Sequence, residues 1–538
     1  MPAMGRSETL NGTKGSGMQK TLWWQSGVIY QIYPRSFADA NGDGIGDLEG
    51  IRAKLPYLAD LGIRALWISP IFPSPMADFG YDVSDYRGID PLFGDIESMD
   101  GLIADAHALG LKVILDFVPN HTSDEHPWFR ESRRSRESAF RDWYLWHDPA
   151  PGGGPPNNWL SNFGGSAWAF DRPTGQYYLH LFLDKQPDLN WRNPVVREAM
   201  YDAMRFWLRR GVDGFRVDVL YHVMKDAQFR DNPINPAYRE GIDSEANRFL
   251  PVYTADLPEV LGIVTAMREV VDEFPERVLI GELYLPLERI VAYYGEKLDG
   301  ANLPFNFLLI GAPWNARYIA SLVERYEAAL PHGGWPNWVL GNHDKPRIAS
   351  RVGDLQARVA AVLLLTLRGT PTMYYGDEIG MHDVPIAPGQ VRDPFEINEP
   401  GKGLGRDPQR TPMRWFPREG AGFTRGIPWL PVGDHVATCN VASEAEDHAS
   451  LLSLYKTLLQ LRRDSRALSV GSFRLLAVDD AVMVYERSDG DERYVIALNF
   501  TDADSKLPVP APGSMVVSTV AASSPNLLRA GEARVYRA

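Results

Sequence analysis

Short apolar runs alternate along the chain with stretches of helical periodicity, beginning near residue 28. Apolar residues recur at helical spacing in the intervening stretches, as over residues 51–61 and 194–210. Eight runs have the length and apolar content of buried strands: 28–34, 65–71, 112–118, 214–220, 278–284, 303–307, 337–342 and 371–375. Strands that alternate with helices indicate parallel crossover units, and eight units predict an α/β fold, the (β/α)8 or TIM barrel. A doubly wound open sheet is the alternative, but no glycine-rich dinucleotide loop follows the first strand.

Two stretches interrupt the alternation and predict further domains. Residues 120–190, rich in Trp, Gly and Pro, are too long for a loop and predict a small domain inserted after the third strand. From residue 466, runs of alternating polarity predict a C-terminal antiparallel β domain, a β-sandwich over 466–538. The barrel itself then comprises 21–119 and 191–465. Residues 1–20 are polar and glycine-rich, and they predict a disordered leader without the apolar segment of a signal peptide.

Composition narrows the functional classes. With 55 Lys and Arg against 69 Asp and Glu, the net charge of −14 argues against a nucleic-acid surface. The single cysteine, Cys439, excludes an internal disulfide framework and suits a reducing compartment, so we expect a cytoplasmic protein. No apolar run reaches the length of a membrane-spanning helix. Whether the protein is a monomer or a homodimer is left open.

Carboxylates recur where predicted strands end. Asp218, Glu282 and Asp344 lie at the C-terminal ends of the fourth, fifth and seventh strands. In a barrel, the carboxyl ends of the strands meet at one mouth, so the three side chains are expected to converge there. Arg216 lies two residues before Asp218 and so shares its face of the strand. Two carboxylates in different protonation states, without an organic cofactor, are what glycoside hydrolysis requires.

Four motifs, in order, resemble those of the α-amylase family of glycoside hydrolases, family 13. The resemblance extends from about residue 23 to the C-terminus. It implies that Asp218 is the nucleophile, Glu282 the general acid and base, and Asp344 the carboxylate that stabilises the distorted sugar. The motifs are Asp116-Phe-Val-Pro-Asn-His121, Gly214-Phe-Arg-Val-Asp218, Leu279-Ile-Gly-Glu282 and Val339-Leu-Gly-Asn-His-Asp344.

The same resemblance implies sugar-binding roles for further residues. His121 and His343 would bond sugar hydroxyls, and Arg216 would orient the nucleophile and keep it ionised. Within the family the chain is most similar to the α-glucosidase and oligo-1,6-glucosidase branch, whose fifth motif resembles residues 186–190, Gln-Pro-Asp-Leu-Asn. Tyr81 lies in a motif, residues 79–82, that resembles part of the branch's grip on the terminal glucose.

The resemblance also implies a clamp on the terminal glucose, formed by Asp82, beside Tyr81, and Arg410. The alternatives are a turn residue for Asp82 and a surface loop charge for Arg410. A pocket closed in this way implies that the enzyme removes one glucose at a time. Val219, directly after the nucleophile, matches the residue type of enzymes that prefer α-1,6 bonds. The following residues, Leu-Tyr-His-Val, depart from the usual isomaltase sequence, so the linkage stays open between α-1,4 and α-1,6.

A loop after the first strand has the pattern of a divalent-cation site. Acidic or amide side chains alternate with glycines over residues 39–47, as calcium loops require. The branch carries a divalent ion at such a loop, so we expect structural Ca²⁺ or Mg²⁺ here. The alternative is a solvated turn without metal. The candidate ligands are the side chains of Asp39, Asn41, Asp43 and Asp47 and the carbonyl of Ile45.

The sequence therefore predicts a retaining, exo-acting α-glucosidase that acts on short oligosaccharides, with transfer to acceptors other than water left open. One alternative is a transglucosidase or a sucrose- or trehalose-converting isomerase, although no arginine-rich isomerisation signature lies near residues 395–410. The alternative of another class is a sugar-binding barrel without catalysis, which the three carboxylates argue against.

Overall fold

The computed structural model describes residues 21–510, 512–521 and 524–538. The predicted leader, residues 1–20, lies outside the described residues. Eight strands form one parallel sheet in the order expected of a barrel, with the first strand paired to both the second and the eighth. The predicted (β/α)8 class is confirmed. The strands span Ile29–Ile32, Ala65–Ile68, Lys112–Phe117, Gly214–Val217, Val278–Gly281, Leu303–Pro304, Asn337–Val339 and Thr370–Tyr374.

Side chains, rather than a backbone ladder, close the barrel between the sixth and seventh strands. The described backbone ladders do not join these two strands. Instead, Asn337 Nδ2 donates to the carbonyl of Pro304 at 2.6 Å, and its Oδ1 accepts from the backbone N–H of Asn306 at 2.8 Å. The amide thus carries both a donor and an acceptor across the seam, as a peptide group would.

Helices cover the outside of the barrel, and their apolar faces pack on the strands. The helix Pro194–Arg209 illustrates why they form: Asn193 caps its N-terminus, Pro194 occupies the first turn, and its inward residues recur at helical spacing. The other long helices are Ile96–Ala108, Glu259–Asp272, Ala316–Ala329, Ile348–Thr366 and Leu451–Asp464; shorter ones span Leu48–Ala53, Leu55–Leu61 and Leu287–Ile290.

A three-stranded antiparallel sheet lies within the stretch predicted as an inserted domain. Its strands, Trp146–His147, Trp168–Asp171 and Gln176–Leu179, follow the helix Pro127–Ser132. A buried ion pair fixes this segment to the barrel, because Lys225 Nζ lies 2.6 Å from Asp188 Oδ2. The inserted segment therefore stands rigidly beside the barrel mouth.

The C-terminal part contains a five-stranded antiparallel sheet, as predicted. In spatial order its strands are Ser472–Val478, Val482–Asp489, Glu492–Asn499, Ala533–Arg537 and Ser514–Ser518. A two-stranded ladder, Ser505–Lys506 with Leu527–Leu528, accompanies it. The predicted boundaries of the three domains stay predictions.

Two buried arginines join the barrel to the C-terminal sheet. Arg487 donates to the carbonyls of Thr366 at 2.5 Å, Gly471 at 2.9 Å and Ser472 at 3.0 Å. Arg462 donates to further carbonyls, including those of residues 365, 369 and 468. Burial lowers the pKa of Arg487 to about 9 and that of Arg462 to about 10. The junction is thus held by guanidinium groups that bind backbone carbonyls.

Among the residues that the structure describes, no helix combines the length and the apolarity needed to cross a membrane.

Candidate active site

The side chains at the strand ends surround one cavity at the carboxyl-terminal mouth of the barrel. Its volume of about 340 Å³ lies at the lower end of the range of small-molecule sites, about 300–1,000 Å³. Phe163 and Phe182 of the inserted segment and Phe395 of the loop after the eighth strand complete its walls. The predicted site residues that line it are Tyr81, His121, Asp218, Val219, Glu282, His343 and Asp344.

One guanidinium lies beneath the cavity and holds three carboxylates. Arg216 is fully buried, and its Nη1 donates to Asp116 Oδ1 and Asp218 Oδ1, each at 2.7 Å. Its Nη2 lies 2.8 Å from Glu282 Oε1. The strand periodicity therefore places Arg216 beside Asp218 as predicted, and the same cation fixes Glu282 on the neighbouring strand.

Burial and the neighbouring charges shift the pKa values of two of these carboxylates, Asp218 and Asp116. Burial raises the pKa of Asp218 well above its ordinary value; Arg216 opposes the shift, and the carboxylates of Glu282 and Asp116 add to it. Burial also raises the pKa of Asp116 to about 6, again against Arg216. Burial and the neighbouring carboxylates thus favour the protonated forms of Asp218 and Asp116, and Arg216 favours their ionised forms.

Asp344 has the opposite electrostatic environment. Burial disfavours its charge, but the guanidinium groups of Arg410, Arg406 and Arg216 outweigh burial and lower the pKa of Asp344 well below its usual range. Arg410 Nη2 donates to Asp344 Oδ1 at 2.8 Å, and Arg406 Nη1 lies 3.5 Å from the same oxygen. Asp344 therefore stays ionised and can stabilise positive charge on a sugar ring.

Val219 adopts a strained backbone conformation beside the catalytic carboxylates. Its φ of 34° and ψ of 44° lie in the left-handed region, which a β-branched residue rarely enters. This conformation directs its backbone N–H at Glu282 Oε2, at a distance of 2.8 Å. Strain of this kind persists only where the surroundings impose it, and here it orients the carboxyl group of Glu282.

A chain of hydrogen bonds orders the floor of the cavity. Gln31 Nε2 lies 2.7 Å from His343 Nδ1, and His343 Nε2 lies 2.7 Å from the Tyr81 hydroxyl. The Tyr81 hydroxyl donates to Asp116 Oδ2 at 3.1 Å, and its ring stacks on that of His343 at a centroid distance of 5.5 Å. Burial lowers the pKa of His343 well below its usual value. The imidazole is therefore neutral, and Tyr81 offers a flat apolar face to a sugar.

His121 also lies at the cavity wall as a neutral ring. Its Nε2 lies 3.2 Å from the carbonyl of Tyr81 and 3.1 Å from Gln186 Nε2. Burial lowers the pKa of His121 to about 3. Gln186 begins the predicted fifth motif, so the resemblance at residues 186–190 corresponds to a real contact with the site.

The predicted clamp between Asp82 and Arg410 is wrong. Asp82 is fully buried and does not line the cavity, because its Oδ1 accepts hydrogen bonds from the Ser74 hydroxyl and the backbone N–H of Asp78, each at 2.9 Å. Its Oδ2 accepts from the backbone N–H of Ala77 at 2.8 Å. Asp82 thus stabilises the turn over residues 74–82, while Arg410 binds Asp344 from behind.

A different charged pair, Asp78 and Arg406, lies in the cavity wall where the predicted clamp would have contacted the sugar. Both line the cavity, and Arg406 Nη2 donates to Asp78 Oδ1 at 2.6 Å. Asp393 holds the same guanidinium at 2.6 Å from the other side. The ion pair joins the loop after the second strand to the loop after the eighth and closes one end of the cavity.

The loop over residues 39–47 binds its own backbone. Asp39 Oδ1 and Oδ2 accept from the N–H groups of Gly42 and Gly44, and Asp43 Oδ1 accepts from the N–H of Ile45 at 2.8 Å. Asp47 caps the helix that follows, with Oδ1 2.6 Å from the N–H of Gly50. Within the described ranges, no group of three or more His, Cys, Asp or Glu side chains is arranged to hold a metal ion. The donor set of carboxylates, one amide and one carbonyl still suits a hard cation, so the metal site stays a prediction.

The geometry can be compared with that of known proteins. A protein family described as "Alpha amylase, catalytic domain" matches residues 31–471. This chain belongs to the α-amylase family. The match covers the barrel, the inserted segment and the helix that precedes the C-terminal sheet, as the four sequence motifs indicate.

Relatives in the α-amylase family match over nearly the whole chain. A probable alpha-glucosidase of Rhizobium meliloti is 43% identical over 522 residues, which cover 93% of this chain and 94% of the relative. An oligo-1,6-glucosidase of Heyndrickxia coagulans is 39% identical and covers 90% of this chain and 93% of the relative. The crystal structure of the alpha-glucosyl transfer enzyme XgtA is 40% identical with a TM-score of 0.90, covering 96% of this chain and all of the other.

The cavity residues that sequence reasoning missed in this α-amylase family member include Asp78, His222, Lys345 and Arg406. Asp78, Arg406 and Lys345 lie in irregular loops, where periodicity gives no orientation. His222 lies in a 3₁₀ turn two residues beyond the strand segment predicted over 214–220. The signal for His222 was its position four residues after Asp218, on a segment already known to leave the barrel mouth. Its Nδ1 lies 2.9 Å from the carbonyl of Thr254, which leaves Nε2 for the cavity.

Proposed function

We propose that this protein is a retaining, exo-acting α-glucosidase that hydrolyses terminal α-linked glucose from short oligosaccharides. The observation that carries the proposal is the convergence of Asp218, Glu282 and Asp344 in one cavity that the pair of Asp78 and Arg406 closes at one end. Relatives named alpha-glucosidase and oligo-1,6-glucosidase support it.

The chemistry follows from the electrostatics of the three carboxylates. Asp218 attacks the anomeric carbon and forms a β-glucosyl ester while Glu282 gives its proton to the departing oxygen. Glu282 then takes a proton from water, the water attacks the anomeric carbon, the bond from that carbon to Asp218 breaks, and α-glucose leaves. Arg216 holds both carboxylates, which favours the short separation that retention requires. Asp344, ionised throughout, stabilises the oxocarbenium-like transition states.

The first experiment is initial-rate kinetics on maltose, isomaltose, sucrose, trehalose and soluble starch, with the early anomer recorded. We expect release of α-glucose from a disaccharide and little action on starch. The rate ratio between maltose and isomaltose measures the linkage preference. Release of β-glucose would contradict retention, and inactivity on every substrate would favour a sugar-binding barrel.

Substitution of the two reacting carboxylates tests their roles separately. Asp218→Asn should lower kcat by about 10⁴-fold or more, because no glucosyl ester forms. Glu282→Gln should lower kcat on maltose by about 10²–10⁴-fold, but by much less on 4-nitrophenyl α-glucoside in a pre-steady-state burst, since nitrophenolate leaves without a proton. Normal turnover by either variant would contradict the assignment. Asp479→Asn, on a turn of the C-terminal sheet, is the control.

A second candidate activity is glucosyl transfer to an acceptor other than water. The similarity to the alpha-glucosyl transfer enzyme XgtA supports it. Both activities share the glucosyl ester, and they differ only in what attacks it. Product chromatography at high maltose concentration decides between them: trisaccharides indicate transfer, a rearranged disaccharide indicates isomerisation, and glucose alone indicates hydrolysis.

We also propose that the loop over residues 39–47 binds a structural divalent cation, Ca²⁺ or Mg²⁺. Asp39, Asn41, Asp43, Asp47 and the carbonyl of Ile45 would hold it. A bound ion would stiffen the contact of this loop with residues 423–429, where the N–H of residue 39 already bonds the carbonyl of residue 423. Dialysis against a chelator should then lower the melting temperature, and elemental analysis should find one ion per chain. No ion and no shift would contradict the proposal.

The cellular setting belongs to the same proposal. A cytoplasmic location is supported by the single cysteine. Sedimentation equilibrium would decide between a monomer and a homodimer.

A further inference from the structure

Lys345 places a positive charge at the mouth of the cavity. It directly follows Asp344, lines the cavity at its rim and is exposed to solvent. Its ammonium lies 5.2 Å from the centroid of the Tyr284 ring. Tyr284 follows the acid catalyst Glu282 by two residues and also lines the cavity. Because its aromatic partner follows Glu282, we assign Lys345 to the side from which the leaving group departs.

Every other cation that lines or underlies this cavity has a carboxylate partner. Arg216 holds Asp218, Arg406 holds Asp78, and Arg410 holds Asp344, as described above. At the rim, Lys402 Nζ lies 2.7 Å from Glu399 Oε2. Within the described part of the chain, the Lys345 ammonium makes no hydrogen bond or ion pair; its contact is the ring of Tyr284.

A lysine that only solvates a surface would extend into water. This one is exposed but lies over the face of the Tyr284 ring at the rim of a concave site, so its charge is held where a substrate group would meet it. The histidines around it carry no charge that could serve the same purpose, because burial lowers the pKa of His222 to about 4 and that of His343 well below its usual value. Among the described residues, Lys345 is thus the cation at the leaving-group side without a carboxylate partner.

We propose that Lys345 is a specificity-determining residue that recognises an anionic group, a carboxylate or a phosphate, on the part of the substrate beyond the terminal glucose. The inference rests on the proposed α-glucosidase function and deepens it, because it defines a substrate class: α-glucosides whose leaving group, or glucosyl acceptor, carries a negative charge. The catalytic steps are unchanged.

The test compares two substrates of equal size that differ in one group. Maltobionate is glucose α-1,4-linked to gluconate, and maltitol is its neutral counterpart with a hydroxymethyl group in place of the carboxylate. We expect kcat/KM for maltobionate relative to maltitol to fall about five- to tenfold in Lys345→Gln, mainly through KM. The wild-type ratio should also fall as NaCl is raised from 20 to 500 mM, whereas the ratio of the variant should not.

Two further arms define the anion and the role of the lysine. Inhibition by glucose 6-phosphate relative to glucose, measured with both proteins, distinguishes a phosphate from a carboxylate as the preferred group. Lys345→Arg should recover most of the preference, because it restores the charge. Lys506→Gln, on an exposed strand of the C-terminal part, is the matched control and should behave as wild type.

The outcomes separate this proposal from the proposed function. An enzyme that hydrolyses maltitol with the same maltobionate ratio in wild type and Lys345→Gln would overturn the role of Lys345 and leave the α-glucosidase assignment intact. Equal losses on both substrates would assign Lys345 to a sugar hydroxyl and also overturn the proposal. An inactive wild type on maltose, maltitol and maltobionate would overturn the α-glucosidase function itself.

Discussion

Two aspartates four residues apart serve different purposes in this site. Asp78 faces the cavity and pairs with Arg406, whereas Asp82 lies behind the wall and holds the turn that presents Asp78. The sequence identified the right segment, because an acidic pair around Phe-Gly-Tyr follows the second strand. It could not tell which aspartate faces the sugar, since an irregular loop has no periodicity from which orientation follows.

Paired substitutions at these positions should separate binding from stability. Asp78→Asn should raise KM for maltose and lower kcat/KM by about 10²-fold or more, because a charged contact at the closed end is lost. Asp82→Asn should lower the free energy of unfolding by about 1–3 kcal/mol, since a buried acceptor of three hydrogen bonds is weakened. Kinetics and urea denaturation of both variants check this, and the reverse pattern would contradict the placement of the two residues.

A carboxyl group outside the active site should give the protein a pH-dependent stability. Burial raises the pKa of Glu444 to about 7, while Oε2 accepts from the N–H of Leu452 at 3.1 Å. Between pH 4.5 and 7 the unfolded chain loses this proton and the folded protein keeps it, so stability falls as the pH rises. Below pH 4.5 the group contributes no pH dependence.

Glu444→Gln should remove this part of the pH dependence. We expect the variant to match wild type near pH 4 and to be more stable by about 1–2 kcal/mol above pH 7. Urea denaturation between pH 4 and 8 measures the difference. Glu446→Gln, on the exposed side of the same short helix, should leave the curve unchanged; a variant less stable than wild type at pH 8 would contradict the expectation.

The barrel strands show which features a hydrophobic pattern can predict and which it cannot. All eight barrel strands were predicted, because a buried parallel strand is a short apolar run and each is followed by helical spacing. Asp218, Glu282 and Asp344 were found for the same reason, since each directly follows such a run. The seam between the sixth and seventh strands was not predicted: hydrogen bonds of Asn337 across it depend on tertiary placement, which a strand pattern does not contain.

Asn337→Ala should weaken the barrel more than an ordinary polar deletion. It leaves the carbonyl of Pro304 and the N–H of Asn306 buried without partners, at a cost of about 2–5 kcal/mol. The melting temperature and the urea midpoint measure the loss. Asn235→Ala, in an exposed loop, is the control, and equal small effects at the two positions would contradict the closing role of Asn337.

The barrel and the C-terminal sheet are joined by two buried arginines that no sequence motif predicted. Arg462 and Arg487 connect the end of the helix Ile348–Thr366 to the C-terminal sheet through backbone carbonyls. The sequence predicted both domains, but an arginine in an alternating strand reads as a surface residue. The burial of Arg487 follows only from the packing of the two domains. Its partners are backbone carbonyls, which every residue has, so the sequence does not identify them.

Arg487→Ala should uncouple the two parts of the chain. Three buried carbonyls lose their donor, so we expect a loss of about 3–5 kcal/mol and a thermal transition that becomes biphasic. Arg487→Lys should not restore stability, because one ammonium cannot reach carbonyls in three directions. Calorimetry tests both variants. Arg493→Ala, an exposed arginine on the neighbouring strand, should keep a single transition, and a single transition in Arg487→Ala would contradict the coupling role.

The ion pair of Asp78 and Arg406, which closes one end of the cavity, has a consequence for how the protein would meet a polymer. A cavity with one opening admits chain termini and never a chain interior, so the reaction rate follows the number of termini in solution rather than the mass of polysaccharide. A highly branched glucan would be consumed faster per gram than a linear one. A linear glucan solution would keep its viscosity, and the little glucose released from it would come from chain ends.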